Sequence, residues 1–253
     1  MEYPMMVNQG EEPDYKGSMF TTSHEVVHSF FPFYVGNNQE KHAWLDEGIT
    51  TMIPMEFQKA TAPDWQGHVD FAKTFSKMAN SDSEVPSMIP SINVDSKGYF
   101  VHAYIRPAEA LYFLKDMLGE DLFLKCMKDY IQNWNGKHPT PYDFFNTFNR
   151  VGQQNLNWYW QKWFFDKGVP DLAIDKVDKD SVYIRNVGIF PLPIRLNIVY
   201  KDGSKEEIKE NASVWKNQTV TSFPLKGSIN SIKLGDETIP DSYPSNNIVE
   251  LIK

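Results

Sequence analysis

The feature that most constrains this chain is His24-Glu25-Val26-Val27-His28, followed after 18 intervening residues by Glu47 in Trp44-Leu45-Asp46-Glu47-Gly48. Two histidines four apart on a helix lie on one face, about a turn from each other. Their imidazoles can then grip one small cation from the same side. Zinc takes nitrogen and carboxylate ligands in a tetrahedron, and a hydrolytic site keeps the fourth position for water. The spacing therefore predicts one Zn2+ per chain, held by His24, His28 and Glu47. Glu25, beside the ligand face but off it, is the expected general base that takes a proton from that water. A lone histidine on an amphipathic helix is more often a packed or solvated residue. Here the pair sits in an apolar setting, with Val26-Val27 inside the motif and Phe30-Phe31 after it, as a buried metal helix requires.

Composition narrows the partners. The chain has 253 residues, 41 % hydrophobic and 14 % aromatic, enough for a buried core and for two domains of ordinary size. A net charge of -8 argues against nucleic acid, which needs a basic face. No stretch reaches the length of a transmembrane helix, and the opening Met-Glu-Tyr-Pro-Met-Met has no signal-peptide pattern. The single cysteine, Cys126, excludes an intrachain disulfide and reads as a small buried hydrophobe. One cysteine does not choose a compartment, so localisation stays open.

Along the chain, residues 1 to 9 read as a strand or strand end and residues 10 to 18 as a loop. Thr21-Thr22-Ser23 offers N-cap hydroxyls, so the metal helix is expected to begin there, with Pro32 limiting its run. A second helix carries Glu47 and is kinked or ended by Pro54. Residues 65 to 80, 102 to 118 and 120 to 134 are helical by pattern, with Gly119 as a C-cap. Tyr142 to Phe145 opens a further helix, and Leu156 to Phe165 is one more. After Gly168-Val169-Pro170 the pattern alternates, with runs at 182–184, 192–200, 219–221 and 229–234, Val214 between them, and turn signals at Asp202-Gly203 and Leu234-Gly235-Asp236. The expected fold is α+β: a mainly helical lobe over 1–170, then an antiparallel β-sandwich over 171–253.

The zinc motif and the Trp-Leu-x-Glu-Gly context of Glu47 resemble the gluzincin aminopeptidases, the aminopeptidase N and leukotriene hydrolase family, whose catalytic lobe is thermolysin-like. Met1-Glu2-Tyr3-Pro4 is similar to the end of that family's Gly-x-Met-Glu-Asn strand, with Tyr in place of Asn. By this resemblance Glu2 binds the free amino group of a peptide substrate, which suits the attraction between a carboxylate and an ammonium end. The family's catalytic tyrosine stands 15 residues before a Leu-Gly, and counting back from Gly119 reaches Tyr104. The resemblance makes its hydroxyl the donor to the oxyanion of the tetrahedral intermediate. Tyr99 sits where some members have a second tyrosine; Tyr112, the rival, reads as core.

Two departures stand out. The family's glutamate seven positions after the metal glutamate is Pro54 here, which leaves Thr50 and Thr51 as candidates to orient a ligand histidine. The chain also opens inside a motif, so the resemblance implies a fragment whose partners include upstream domains of a longer protein. His42, His68, His102 and His138 lack ligand spacing and default to surface or core roles. The function expected is a zinc-dependent aminopeptidase. The alternatives are a gluzincin endopeptidase, in which Glu2 has no substrate role, and a non-catalytic zinc-binding scaffold, against which the presence of Glu25 argues.

Overall fold

The computed structural model describes residues 2–250. The fold is α+β, helical to about residue 165 and then built of antiparallel sheets. The chain opens with a short hairpin, β1 (Glu2–Tyr3) against β2 (Met6–Val7), Glu2 opposite Val7. The metal-motif helix α1 (Tyr15–Val27) follows. Then come α2 (Gln39–His42), α3 (Trp44–Met52), α4 (Met55–Thr61) and α5 (Gly67–Met78). A π-helical turn, Val101–Ile105, leads into α6 (Arg106–Leu118). Next are α7 (Glu120–Trp134), α8 (Pro141–Val151) and α9 (Asn157–Trp160), the last running into a second π turn, Gln161–Phe165.

Helix α1 starts six residues before the expected cap at Thr21, and part of the expected loop at 10–18 is helical. Asp14 takes the N-cap role, its side chain accepting from the Gly17 amide at 2.8 Å. Thr21 and Thr22 instead lie mid-helix and turn their hydroxyls back to Glu12 and Gln9. Pro54 ends α3 as expected and becomes the cap of α4. Gly119, at φ 79°, closes α6 in a conformation that side chains avoid. The 102–118 segment is helical, but its first turn is π rather than α.

All of α3 is buried, an unusual state for a nine-residue helix that includes Asp46, Glu47, Thr50 and Thr51. Trp44 packs among Phe144, Phe145 and Phe164, which anchors α3 to α8 and the second π turn. Gly48 lets α3 touch the π turn and α6. A Cβ there would stand 2.7 Å from two ring carbons of Pro107, closer than real contacts allow.

Beyond residue 170 lie β3 (Leu172–Val177), β4 (Ser181–Asn186), β5 (Ile194–Tyr200), β6 (Lys205–Glu210), β7 (Val220–Pro224), β8 (Ile229–Leu234) and β9 (Ile248–Glu250). They form two antiparallel sheets, ordered β3-β4-β7 and β6-β5-β8-β9. Asp202-Gly203 turns the β5–β6 hairpin as its residues predict. Leu234-Gly235-Asp236 closes no tight hairpin but opens the long connection from β8 to its antiparallel partner β9. It leaves the sheet for a loop in which Asp236 accepts from Thr238. Val214 lies in a 3-10 turn, not a strand.

The sheets share one hydrophobic core with the helices: Phe190 packs on Trp163 and Phe75, whose ring centroids lie 4.9 and 5.2 Å away. Arg106 lies over the Phe190 ring, is wholly buried and pairs with Glu84 at 2.5 Å. Its guanidinium also donates to the carbonyls of Lys162, Trp163 and Asp166, which ties the end of the second π turn to the start of α6. No helix of the described residues is long and apolar enough to cross a membrane.

Candidate active site

Helix α1 and its C-cap residue His28, whose backbone is still helical, bring His24 and His28 to one face, and α3 crosses it with Glu47. His24 Nε2 and His28 Nε2 are 3.1 Å apart, and Glu47 Oε2 is 3.2 Å from the first and 3.3 Å from the second. Three atoms that mutually close cannot each satisfy the others by hydrogen bonding. The ligand atoms of a tetrahedral zinc site with bonds of roughly 2.0–2.1 Å are about 3.3 Å apart, so the triangle fits one ion.

The ring orientations agree. His28 Nδ1 lies 2.7 Å from the Phe31 carbonyl, which can only accept, so this nitrogen carries hydrogen, and in the neutral ring that a metal requires the lone pair falls on Nε2, which faces the centre. His24 Nδ1 faces the Thr51 hydroxyl at 3.4 Å. Of the two threonines weighed for that role, Thr51 meets the histidine. Thr50 returns its hydroxyl to its own helix, at 2.9 Å from the Asp46 carbonyl. Burial would push Glu47 up, but contacts with His24, His28 and Tyr104 outweigh it and hold the carboxyl at about 2. It is therefore an anion at neutral pH, as a ligand must be.

Tyr104 comes from the π turn. Its hydroxyl donates to Glu47 Oε1 at 2.7 Å, and its ring stacks on His24. Burial, then the Glu47 charge, raises its pKa well above the usual phenol value, so it stays a donor. A π turn widens the helix by one residue, and such turns are frequent where a side chain must be aimed at a site. Tyr99 lies edge-on to Tyr104, 6.2 Å between centroids. Tyr112 is elsewhere, against His68, which pairs with buried Glu109 at 3.2 Å.

Glu25 is buried on α1. One carboxylate oxygen each of Glu25 and Glu2 and one ring nitrogen of His28 lie within 4.8 Å of one another. The hairpin thus sets Glu2 close to Glu25 and His28. His102, buried, faces Ser91 and not the site. His138 is exposed.

Residues that sequence reasoning did not single out complete the surroundings. Asp46, next to Glu47 and buried, accepts from Asn37 at 2.9 Å and Gln39 at 2.8 Å. Burial, with Glu47 beside it, pushes Asp46 up to about 7, while the two amides hold it back. A second carboxylate next to Glu47, between Leu45 and the rest of a short helix with few polar residues, was a readable sign that Asp46 needs partners. Nothing in the sequence names Asn37 and Gln39 as those partners.

Residues 5–163 match the pattern of the peptidase family M1 domain. The chain belongs to that family. The match takes in every residue of the triad, Glu25 and Tyr104, and begins after Glu2. The chain is 22 % identical over 212 residues to aminopeptidase N of Haemophilus influenzae, covering 75 % of this chain and 24 % of that protein. It is 20 % identical over 199 residues to aminopeptidase M1-C of Oryza sativa subsp. japonica, covering 73 % and 23 %. The chain thus spans about a quarter of the length of these relatives. The crystal structure of Legionella pneumophila aminopeptidase A in complex with aspartic acid has the same fold over 87 % of this chain and 27 % of that one, at a TM-score of 0.60 and 14 % identity.

Proposed function

We propose that the chain supplies the metal-binding catalytic part of a zinc aminopeptidase, with His24, His28 and Glu47 as ligands. The observation that carries this reading is the triangle of ligand atoms, 3.1 to 3.3 Å on a side, with His28 oriented by a backbone carbonyl. Membership of the M1 peptidase family supports the reaction class. Zinc bound there supplies Lewis acidity, polarising the scissile carbonyl and lowering the pKa of water to about 7. Glu25 takes the proton of the attacking water and delivers it to the leaving amine. Tyr104 donates its hydroxyl hydrogen to the developing oxyanion, a contribution of roughly 3 kcal/mol for one preorganised donor. Glu2 holds the ammonium end of the peptide and makes the reaction an exopeptidase one. The proposed activity is that of a protein on the scale of the relatives. Residues 1–170 form its catalytic lobe and 171–253 a sandwich domain packed on it.

Metal content after dialysis tests the site: one zinc per chain in the parent, and loss in His24→Ala and Glu47→Ala. Equal stoichiometry in all three sinks it. Assay of an amino-acid amide and its acetylated form then separates the functions. An aminopeptidase cleaves only the free form. Cleavage of blocked peptides supports an endopeptidase, and zinc without turnover in the longer protein supports a scaffold.

A further inference from the structure

Gln39 stands where the proposed amine anchor meets the helix that carries Glu47. Its Nε2 donates to Asp46 Oδ2 at 2.8 Å and to Glu2 Oε1 at 3.2 Å. Asp46 is itself held, because Asn37 Nδ2 donates to its other oxygen and to the His42 carbonyl, both at 2.9 Å. A fully buried carboxylate thus orients the Gln39 amide, and the amide orients Glu2. Glu2 needs such a hold. It sits on a two-residue strand, whose ladder fixes backbone and not the carboxylate, and Glu25 lies within 4.8 Å of it as a second negative group. The residue type matters too. An amide donates without carrying charge, so Glu2 stays able to attract an ammonium. A lysine at the same point would pair with Glu2 and compete with the substrate.

We propose that Gln39 is a positioning residue for recognition of the substrate's free amino terminus, acting through Glu2. This rests on the reading of Glu2 as the amine anchor. Zinc-loaded protein is titrated calorimetrically with leucine hydroxamate and with N-acetyl-leucine hydroxamate, and the ratio of the two dissociation constants is the readout. The parent binds the free form more tightly. Gln39→Glu keeps the size, removes the donor and adds repulsion, so the preference falls about tenfold, the worth of one hydrogen bond to a charged group. Gln39→Ala falls in the same direction. Zinc content and the constant for the acetylated form stay at parent values in both.

A purely structural role would lower binding of both ligands. In a Glu2→Gln background, Gln39→Glu changes the preference no further, because its effect passes through Glu2. An unchanged preference in both Gln39 variants overturns the proposal, and so does an equal loss in the Glu2→Gln background. If Glu2→Gln alone keeps the parent's preference, the anchor reading itself fails and the positioning role fails with it.

Discussion

Glu25 and Tyr104 both adjoin the triad, yet conservative substitutions should separate what they do. Glu25→Gln fills the same space without an acceptor for the water's proton. We expect parent zinc content and hydrolysis down by at least about a hundredfold in a catalytically competent protein. Turnover near the parent rate would remove Glu25 from the base role, and lost zinc would make it structural. Tyr104→Phe should lower kcat by about 10²–10³ with little change in KM, since the donor acts on charge that develops only in the transition state. A rise in KM alone would make Tyr104 a ground-state contact. Residue chemistry also sets a pH response away from the site. Burial, with the Arg106 charge adding to it, lowers His102 from 6.5 to about 4. Between those values the unfolded chain takes a proton that the folded one refuses, so stability falls as pH drops through that window. The difference amounts to about 3 kcal/mol. Denaturant unfolding at pH 7 and pH 4.5 should show a clearly smaller loss in His102→Gln than in the parent; equal losses would contradict it.

At the scale of elements, the site depends on how closely α3 approaches the π turn and α6. Gly48 makes that approach possible, and the added methyl of Gly48→Ala must push against the Pro107 ring, which cannot swing aside. Overpacking of this kind costs about 1–3 kcal/mol. The displacement should also lengthen the Tyr104–Glu47 hydrogen bond, now 2.7 Å. We therefore expect a lower Tm together with weaker zinc retention in Gly48→Ala. A variant with parent Tm and parent zinc retention would show that the helices have slack there. The closeness of His24 and His28 needs no such packing, because four-residue spacing on a helix supplies it. The start of α1 was harder to read: Thr21, Thr22 and Asp14 are all good caps, and only the contacts of the threonines with Glu12 and Gln9 tell them apart.

At the scale of the whole molecule, Arg106 joins the 80s loop, the two π turns and the sheet region through Phe190. Its burial brings the guanidinium down to about 10, so it is still charged at neutral pH and needs Glu84. Arg106→Ala leaves Glu84 buried without its counter-charge and should cost about 3–5 kcal/mol. With one continuous core, the parent should melt in a single transition. In Arg106→Ala the sheet region should lose its lock on the helices, and calorimetry should resolve a second transition. Two transitions already present in the parent would mean that the shared core does not couple the halves.

The sequence by itself determined what depends on short-range periodicity and residue type. The paired histidines follow from helical spacing, the α-to-β switch at residue 170 from the change of hydrophobic period, and the stops at Pro54 and Gly119 from backbone chemistry. The tertiary structure decided which distant groups meet. Glu47 joins the histidines because an entirely buried α3 crosses α1, and Tyr104 reaches Glu47 because the backbone widens into a π turn. Arg106 finds Glu84, and Gln39 links Asp46 to Glu2. Glu47 and Tyr104 were already legible from motif spacing and the family resemblance, but the Arg106 and Gln39 contacts are set by packing between elements, where one polar side chain among many is selected by position and not by local pattern, so nothing in the neighbouring residues announces them.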